Sequence, residues 1–217
     1  AEGSGASLRS LLSHLFAPEH RTGILYALLF ALTGGAAYEG VGVLAGAWMV
    51  DSGIAPDRIG LFFSFFSVLG LVAGSLSGGY LARRFGVYRL IFISAAANAW
   101  LAFLLALLPS GTEYMRLSSL TLLYIGIGFF TASSYAMFMR HTPPAASALL
   151  FSTFMGATNL CEALTGAAAG HIAGSAGYSA AFLFGGAVTL FSLFLLSPLR
   201  RSDPYGDDGP GAPPPSL

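Results

Sequence analysis

Along this chain apolar and polar positions do not alternate; the apolar ones run on in long blocks. Six stretches, 24–50, 59–82, 90–108, 117–139, 145–174 and 178–199, are almost free of charge. An uninterrupted apolar run of about 20 residues spans the hydrocarbon core as a helix. The pattern therefore predicts an all-α membrane protein with six transmembrane helices within residues 22–201. A β-barrel is excluded, because its strands alternate apolar and polar positions over about 10 residues. In residues 1–21, the stretch SLRSLLSHLF (7–16) sets Leu8, Leu11, Leu12, Leu15 and Phe16 at helical spacing opposite Arg9, Ser10, Ser13 and His14. This spacing predicts a short amphipathic helix lying in the membrane interface. Residues 202–217, SDPYGDDGPGAPPPSL, have no apolar periodicity and are expected to form a disordered cytoplasmic tail.

Composition agrees with a lipid environment. Charged residues make up 9 % of the chain and hydrophobic ones 55 %, mean hydropathy is +0.71, and 28 of 217 residues are Gly. An ordinary soluble domain carries nearly three times as much charge. All ten basic residues are Arg. If the N-terminus is cytoplasmic, Arg9, Arg21, Arg83, Arg84, Arg89, Arg140, Arg200 and Arg201 lie inside and only Arg58 and Arg116 outside, which the positive-inside rule favours. Both termini are then cytoplasmic. Arg83, Arg84 and Arg89 serve as topology anchors, or they contact anionic headgroups or a partner half. A formal net charge of zero with no basic stripe argues against nucleic acid as a partner. The single Cys161 excludes a disulfide within the chain and reads as a small packing residue.

Glycine spacing predicts where helices approach closely. Gly70, Gly74 and Gly78 recur at four-residue intervals in the second segment, Gly166, Gly170 and Gly174 in the fifth, and Gly42 and Gly46 in the first. Each set makes a flat stripe for another backbone. Trp48, Tyr114 and Tyr178 near one boundary, and Tyr26, Tyr80 and Tyr88 near the other, read as aromatic belts.

Against this background the carboxylates stand out. Four segments carry no charge; the first carries Glu39, just after Gly34-Gly35, and the fifth carries Glu162 and His171. An ionisable group at the bilayer centre costs at least about 2.5 kcal/mol, so it should face the bundle interior or a water-filled cavity. A carboxyl that exchanges its proton at that depth is what proton-coupled transport needs. The competing reading is a permanently protonated Glu bonded to a Tyr hydroxyl or a helix carbonyl. Glu39 is the leading proton or solute site, with Tyr38 beside it; Asn159 and Glu162, with Thr158 and Thr165 expected on the same side of the helix, are second-choice cavity residues. His171, Asn98, Ser133 and Ser134 read more simply as structural polar groups.

The linker GGYLARRFGVYR, residues 78–89, resembles the cytoplasmic loop motif of the major facilitator superfamily, matched by Gly79, Leu81, Ala82, Arg84 and Gly86. Arg83 stands where that family prefers Asp. The resemblance implies one half of a twelve-helix transporter, helices seven to twelve, working with an N-terminal six-helix half or a second copy. Within that superfamily, AAYEGVG followed by MVDSGIAPDRIG is similar to the muropeptide-permease and siderophore-uptake branch, through Glu39, Asp51, Gly53, Ile59 and Gly60. That implies a small-molecule solute, proton coupling and a bacterial inner membrane. An efflux-type transporter and a self-associating six-helix scaffold or pore are the alternatives. An intramembrane serine protease would need a G-x-S motif on the fourth helix and a His on the sixth; the chain has TASSY and no such His, so no enzyme is expected. No nucleotide-binding loop, metal-ligand cluster or haem motif appears, so no cofactor is expected.

Overall fold

Residues 18–108 and 111–205 are described by the computed structural model; the amphipathic segment expected at 7–16 lies outside them. The described chain is helical in long spans. The first span is broken into α1 (Pro18–Ala31) and α2 (Ala36–Asp51). The second comprises α3 (Pro56–Leu61), a π-helical turn at Phe62–Phe66, and α4 (Ser67–Phe85). Then come α5 (Val87–Ala106), α6 (Glu113–Arg140) and, after a 3₁₀ turn at Pro144–Ala146, α7 (Ser147–Ala176). The last span is α8 (Tyr178–Ser192), a 3₁₀ turn at Leu193–Leu195, and α9 (Leu196–Arg201).

Five spans, Arg21–Asp51, Pro56–Phe85, Val87–Ala106, Glu113–Arg140 and Tyr178–Arg201, are long and apolar enough to cross a membrane. The fifth expected segment, α7, differs. Its 30 residues give ample length, about 45 Å at 1.5 Å per residue, but Ser152, Thr153, Asn159, Glu162 and His171 dilute its apolar character. It is the polar helix of an otherwise apolar bundle.

Two connections are reduced to a single residue. Gly86 (φ +89°) joins α4 to α5, and Gly177 (φ +86°) joins α7 to α8. Left-handed backbone is cheap only without a Cβ, so a glycine here lets two membrane helices turn back on each other with no loop. Gly86, the last glycine of the linker motif, thus has a backbone reason to be there.

The helices form an arc. α4 packs along α6, α6 on α5, α5 on α8, α8 on α2, and α2 on α7, while α6 and α7 barely touch. α4 and α7 therefore end the arc. The α4–α6 seam uses the predicted stripe: a Cβ at Gly74 would strike the Ile125 carbonyl, and one at Gly78 would lie 2.9 Å from the Phe129 backbone. The stripe expected on α7 does not pack this way. Only Gly166 has a neighbour, Val43, and nothing lies near Gly170 or Gly174. On α2, Gly42 is open and Gly46 has only Phe63 at 3.9 Å; the close approach to α7 is instead at Gly40, which faces Thr165 and Ala169. Periodic glycine makes a flat face but does not choose its partner.

Two apolar clusters fill the interior. One, around Trp48, Met49, Phe62, Leu123 and Phe182, occupies the end where Arg58 pairs with Glu113 (2.7 Å). The other, around Phe30, Ile91, Phe130, Phe138 and Phe154, lies toward the arginine-rich end. Tyr38 packs against both and marks the waist between them. Trp48 is buried, edge-on to Phe182 with the Arg116 guanidinium over its ring, so it is a core residue and not part of an aromatic belt.

At the arginine-rich end, the expected tail begins by docking. Asp203 is buried and bonds Arg140 at 2.7 Å, while the Tyr205 ring lies against the same guanidinium. Residues 206–217 lie outside the described residues.

Candidate functional site

The candidate site starts from the break between α1 and α2. Here Leu32-Thr33-Gly34-Gly35 departs from the α-helical ladder: the Thr33 N–H donates to the Phe30 carbonyl at 3.2 Å and the Ala36 N–H to the Thr33 carbonyl at 3.3 Å, each three residues back and not four. The Gly34 carbonyl and the Ala37 N–H are satisfied from another helix. Thr189 of α8 accepts from the Ala37 N–H at 2.7 Å and donates to the Gly34 carbonyl at 3.2 Å. In lipid an unsatisfied backbone group costs several kcal/mol, so one threonine hydroxyl makes this break tolerable. Gly185, one turn earlier on α8, meets the Ala36 carbonyl at 2.6 Å from where its Cβ would be, which brings α8 close enough to reach.

Glu39 sits in the first turn of α2, immediately beyond the break. It is partly buried and lies within electrostatic reach of Tyr38, Tyr124, Tyr135 and Glu162. The Tyr38 hydroxyl lies within hydrogen-bonding reach of the Glu39 carboxyl, and its ring stands edge-on to Phe130 of α6 at 5.5 Å. A narrow pocket opens here, lined by Phe30, Gly35, Tyr38, Glu39, Thr158 and Cys161 among others, with room for about one water.

Of the residues singled out from the sequence, Glu39, Tyr38 and Glu162 are brought together across α2 and α7. Glu162 and Asn159 lie on the exposed face of α7. The expectation that Thr165 shares Glu162's side is corrected, since Thr165 is buried and Glu162 exposed. Thr165 is buried against Gly40 and beside Cys161 (3.8 Å), and Thr158 donates to its own helix at Met155 (2.8 Å). Neither threonine satisfies Glu162. The linker residues Gly79, Leu81, Arg84 and Gly86 lie at the far end of α4, away from this site. Arg84 is exposed and rests against Phe85.

The structure also identifies residues that the sequence left unmarked. Thr189, Tyr124 and Tyr135 carry no motif; only a polar atom within an apolar run could have drawn attention to them. Cys161 is buried as expected, but in the wall of the pocket next to Glu39. Ser133 and Ser134 bond back to their own helix, at Phe129 and Thr131, and glue nothing together. His171 is exposed. Asn98 is 1 % exposed, its amide lies against Gly126 of α6, and it has no hydrogen-bond partner.

A polar helix face, a carboxyl at a satisfied helix break and a second carboxyl opposite make a place where charge can be held or exchanged at membrane depth. Comparison with known proteins adds a match of residues 22–216 to the family model described as Major Facilitator Superfamily. No curated protein matches the chain.

Proposed function

The chain belongs to the major facilitator superfamily, a family of membrane-embedded secondary transporters, and from that premise we propose that it couples the movement of a small organic solute to protons through Glu39. The observation that carries this reading is the position of Glu39: one turn after a break in a membrane-spanning helix, facing Glu162 on the exposed polar side of α7. A carboxyl kept only for structure would need no more than the Tyr38 hydroxyl within its reach. Glu39 also borders a pocket and has a second carboxyl, Glu162, nearby.

Tyr38 fixes the waist, and Asn159 and Glu162 extend the polar surface toward the open side of the arc. That side, bounded by α4 and α7, would be completed by an N-terminal six-helix half or a second copy, with the solute held between. A siderophore- or muropeptide-like solute, a bacterial inner membrane and cytoplasmic termini are the finer parts of the proposal; they rest on the first span with its following loop and on the arginine distribution.

The test uses the assembled transporter in proteoliposomes with an imposed pH gradient, a panel of ferric siderophores and muropeptides, and an entrapped pH dye. Glu39→Gln should retain solute binding and exchange but lose pH-driven accumulation and solute-induced proton flux. Glu39→Asp, with the carboxyl withdrawn by one methylene, should retain part of both with an altered pH profile. Wild-type accumulation by the Gln variant would remove Glu39 from the mechanism.

A further inference from the structure

At the arginine-rich end, α5 and the last span part company. α8 stops at Ser192, the chain tightens through the 3₁₀ turn at Leu193–Leu195, and α9 restarts at Leu196. The offset leaves an open groove of about 800 Å³ between α5 and α9, within the 300–1,000 Å³ range of ligand clefts. Its walls are apolar, with Phe92, Ile93 and Leu193 running along the helices toward the membrane interior. Its mouth carries Arg89 from the first turn of α5 and Arg200 and Arg201 from α9. Among the described residues no carboxylate lines it. Asp203, the nearest in sequence, is turned to Arg140 and buried.

We propose that this groove binds one anionic glycerophospholipid, its phosphate on Arg89 and Arg201 and an acyl chain along Phe92, Ile93 and Leu193. Guanidinium forks match phosphate oxygens bidentately. Basic pockets between membrane helices at a bilayer surface are where anionic headgroups lodge. The apolar walls decide for a lipid over a free phosphate, which would leave Phe92 and Ile93 unused; Ile93 is 61 % exposed. Charge decides against a second copy of this chain on the same face, since a two-fold contact there would set Arg89 and Arg201 against their own copies. The groove lies on the opposite side of α5 from the seam with α6, so a bound lipid would tie the first turn of α5 to the end of the last span without entering the Glu39 site.

The experiment is a lipid titration of the delipidated full chain by native mass spectrometry. Phosphatidylglycerol is compared with phosphatidylcholine of the same acyl chains, and glycerol 3-phosphate serves as the soluble counterpart. Phosphatidylglycerol should bind at least about tenfold tighter than phosphatidylcholine, and glycerol 3-phosphate should not compete. Arg89→Gln and Arg201→Gln should each weaken phosphatidylglycerol about fivefold, the effect of one basic residue at an anionic surface. Ile93→Trp, which fills the groove and keeps every arginine, should bring it to the phosphatidylcholine level. Arg21→Gln, an exposed arginine outside the groove, should change nothing. Equal loss with Arg21→Gln, or full binding by Ile93→Trp, would reduce the effect to diffuse charge attraction and overturn the proposal. Competition by glycerol 3-phosphate would assign the arginines to a soluble phosphate instead.

Discussion

Thr189 and His141 show how single side chains at the two depths of this bundle are held to different jobs. Thr189 bridges the Gly34 carbonyl and the Ala37 N–H within the apolar interior, where no water substitutes for it. His141 caps the end of α6 outside the membrane, with its Nε2 2.9 Å from the Tyr88 hydroxyl and its ring buried. Burial pushes its pKa below the ordinary histidine value of 6.5; the nearby Asp203 carboxylate pulls it up and the Arg140 guanidinium pushes it down. The native state therefore holds the ring neutral at pH values where the unfolded chain is already protonated. The stability His141 contributes is fully present above about pH 6.5 and declines as pH falls below that, levelling off once the native ring also protonates. Thermal melts of the purified protein should show an acid loss between pH 7.5 and 5.5 that His141→Gln largely removes; an unchanged loss in the variant would place the sensitivity elsewhere. None of this was legible in the sequence, where His141 is one histidine beside a proline pair.

At the scale of the element, the glycine stripes separate what spacing can and cannot tell. Gly74 and Gly174 belong to two stripes of identical period, yet one is pressed on the Ile125 carbonyl and the other has nothing within 4 Å. Gly74→Ala should cost about 1–3 kcal/mol, because a backbone carbonyl does not rotate away as a side chain would. Gly174→Ala should fall within about 0.5 kcal/mol of wild type. Unfolding of the two variants in the same detergent checks the contrast, and equal effects would mean that α4 and α6 are not held at that seam. The apolar runs made the spans legible, since the helix period and bilayer thickness leave few other solutions. The break at Leu32–Gly35 was visible only as a Gly-Gly pair before Glu39, because its partner hydroxyl comes from a residue more than 150 positions later. The polar character of α7 was also on the page, but which side of it faces inward depends on packing, so Thr165 and Glu162 were grouped although the bundle separates them.

Taken whole, the molecule has two unlike ends. Arg58–Glu113, Arg116 on the Ser52 carbonyl (3.1 Å) and Tyr178 on Asp51 (2.6 Å) close one. Arg83, Arg84, Arg89, Arg140, Arg200 and Arg201 gather at the other, in the end turns of α4, α5, α6 and α9. The unequal division predicts the arginine-rich end inside. Single cysteines at Ser52 and Thr112, in a background with Cys161 replaced, should react with a membrane-impermeant maleimide added to intact cells, and one at Val87 should react only after permeabilisation. The reverse pattern would turn the protein over. The arc leaves α4 and α7 as the flanks of an unfinished surface, one apolar and glycine-sealed, the other polar, so a completing partner would meet two chemically different edges.

The broken first span also has an electrical consequence. A continuous helix from Pro18 to Asp51 would place Glu39 about 30 Å from the helix start, at 1.5 Å per residue, where the aligned peptide dipoles cancel along the rod. Breaking the rod at Gly34-Gly35 creates a new positive pole at mid-depth, and Glu39 stands within one turn of it. Such a pole offsets up to about 2 kcal/mol for a neighbouring anion in partly buried surroundings, comparable to the minimum of about 2.5 kcal/mol that the bilayer centre exacts. By holding the break in shape, Thr189 would lower the cost of the moments in which the exchanging Glu39 carboxyl is charged.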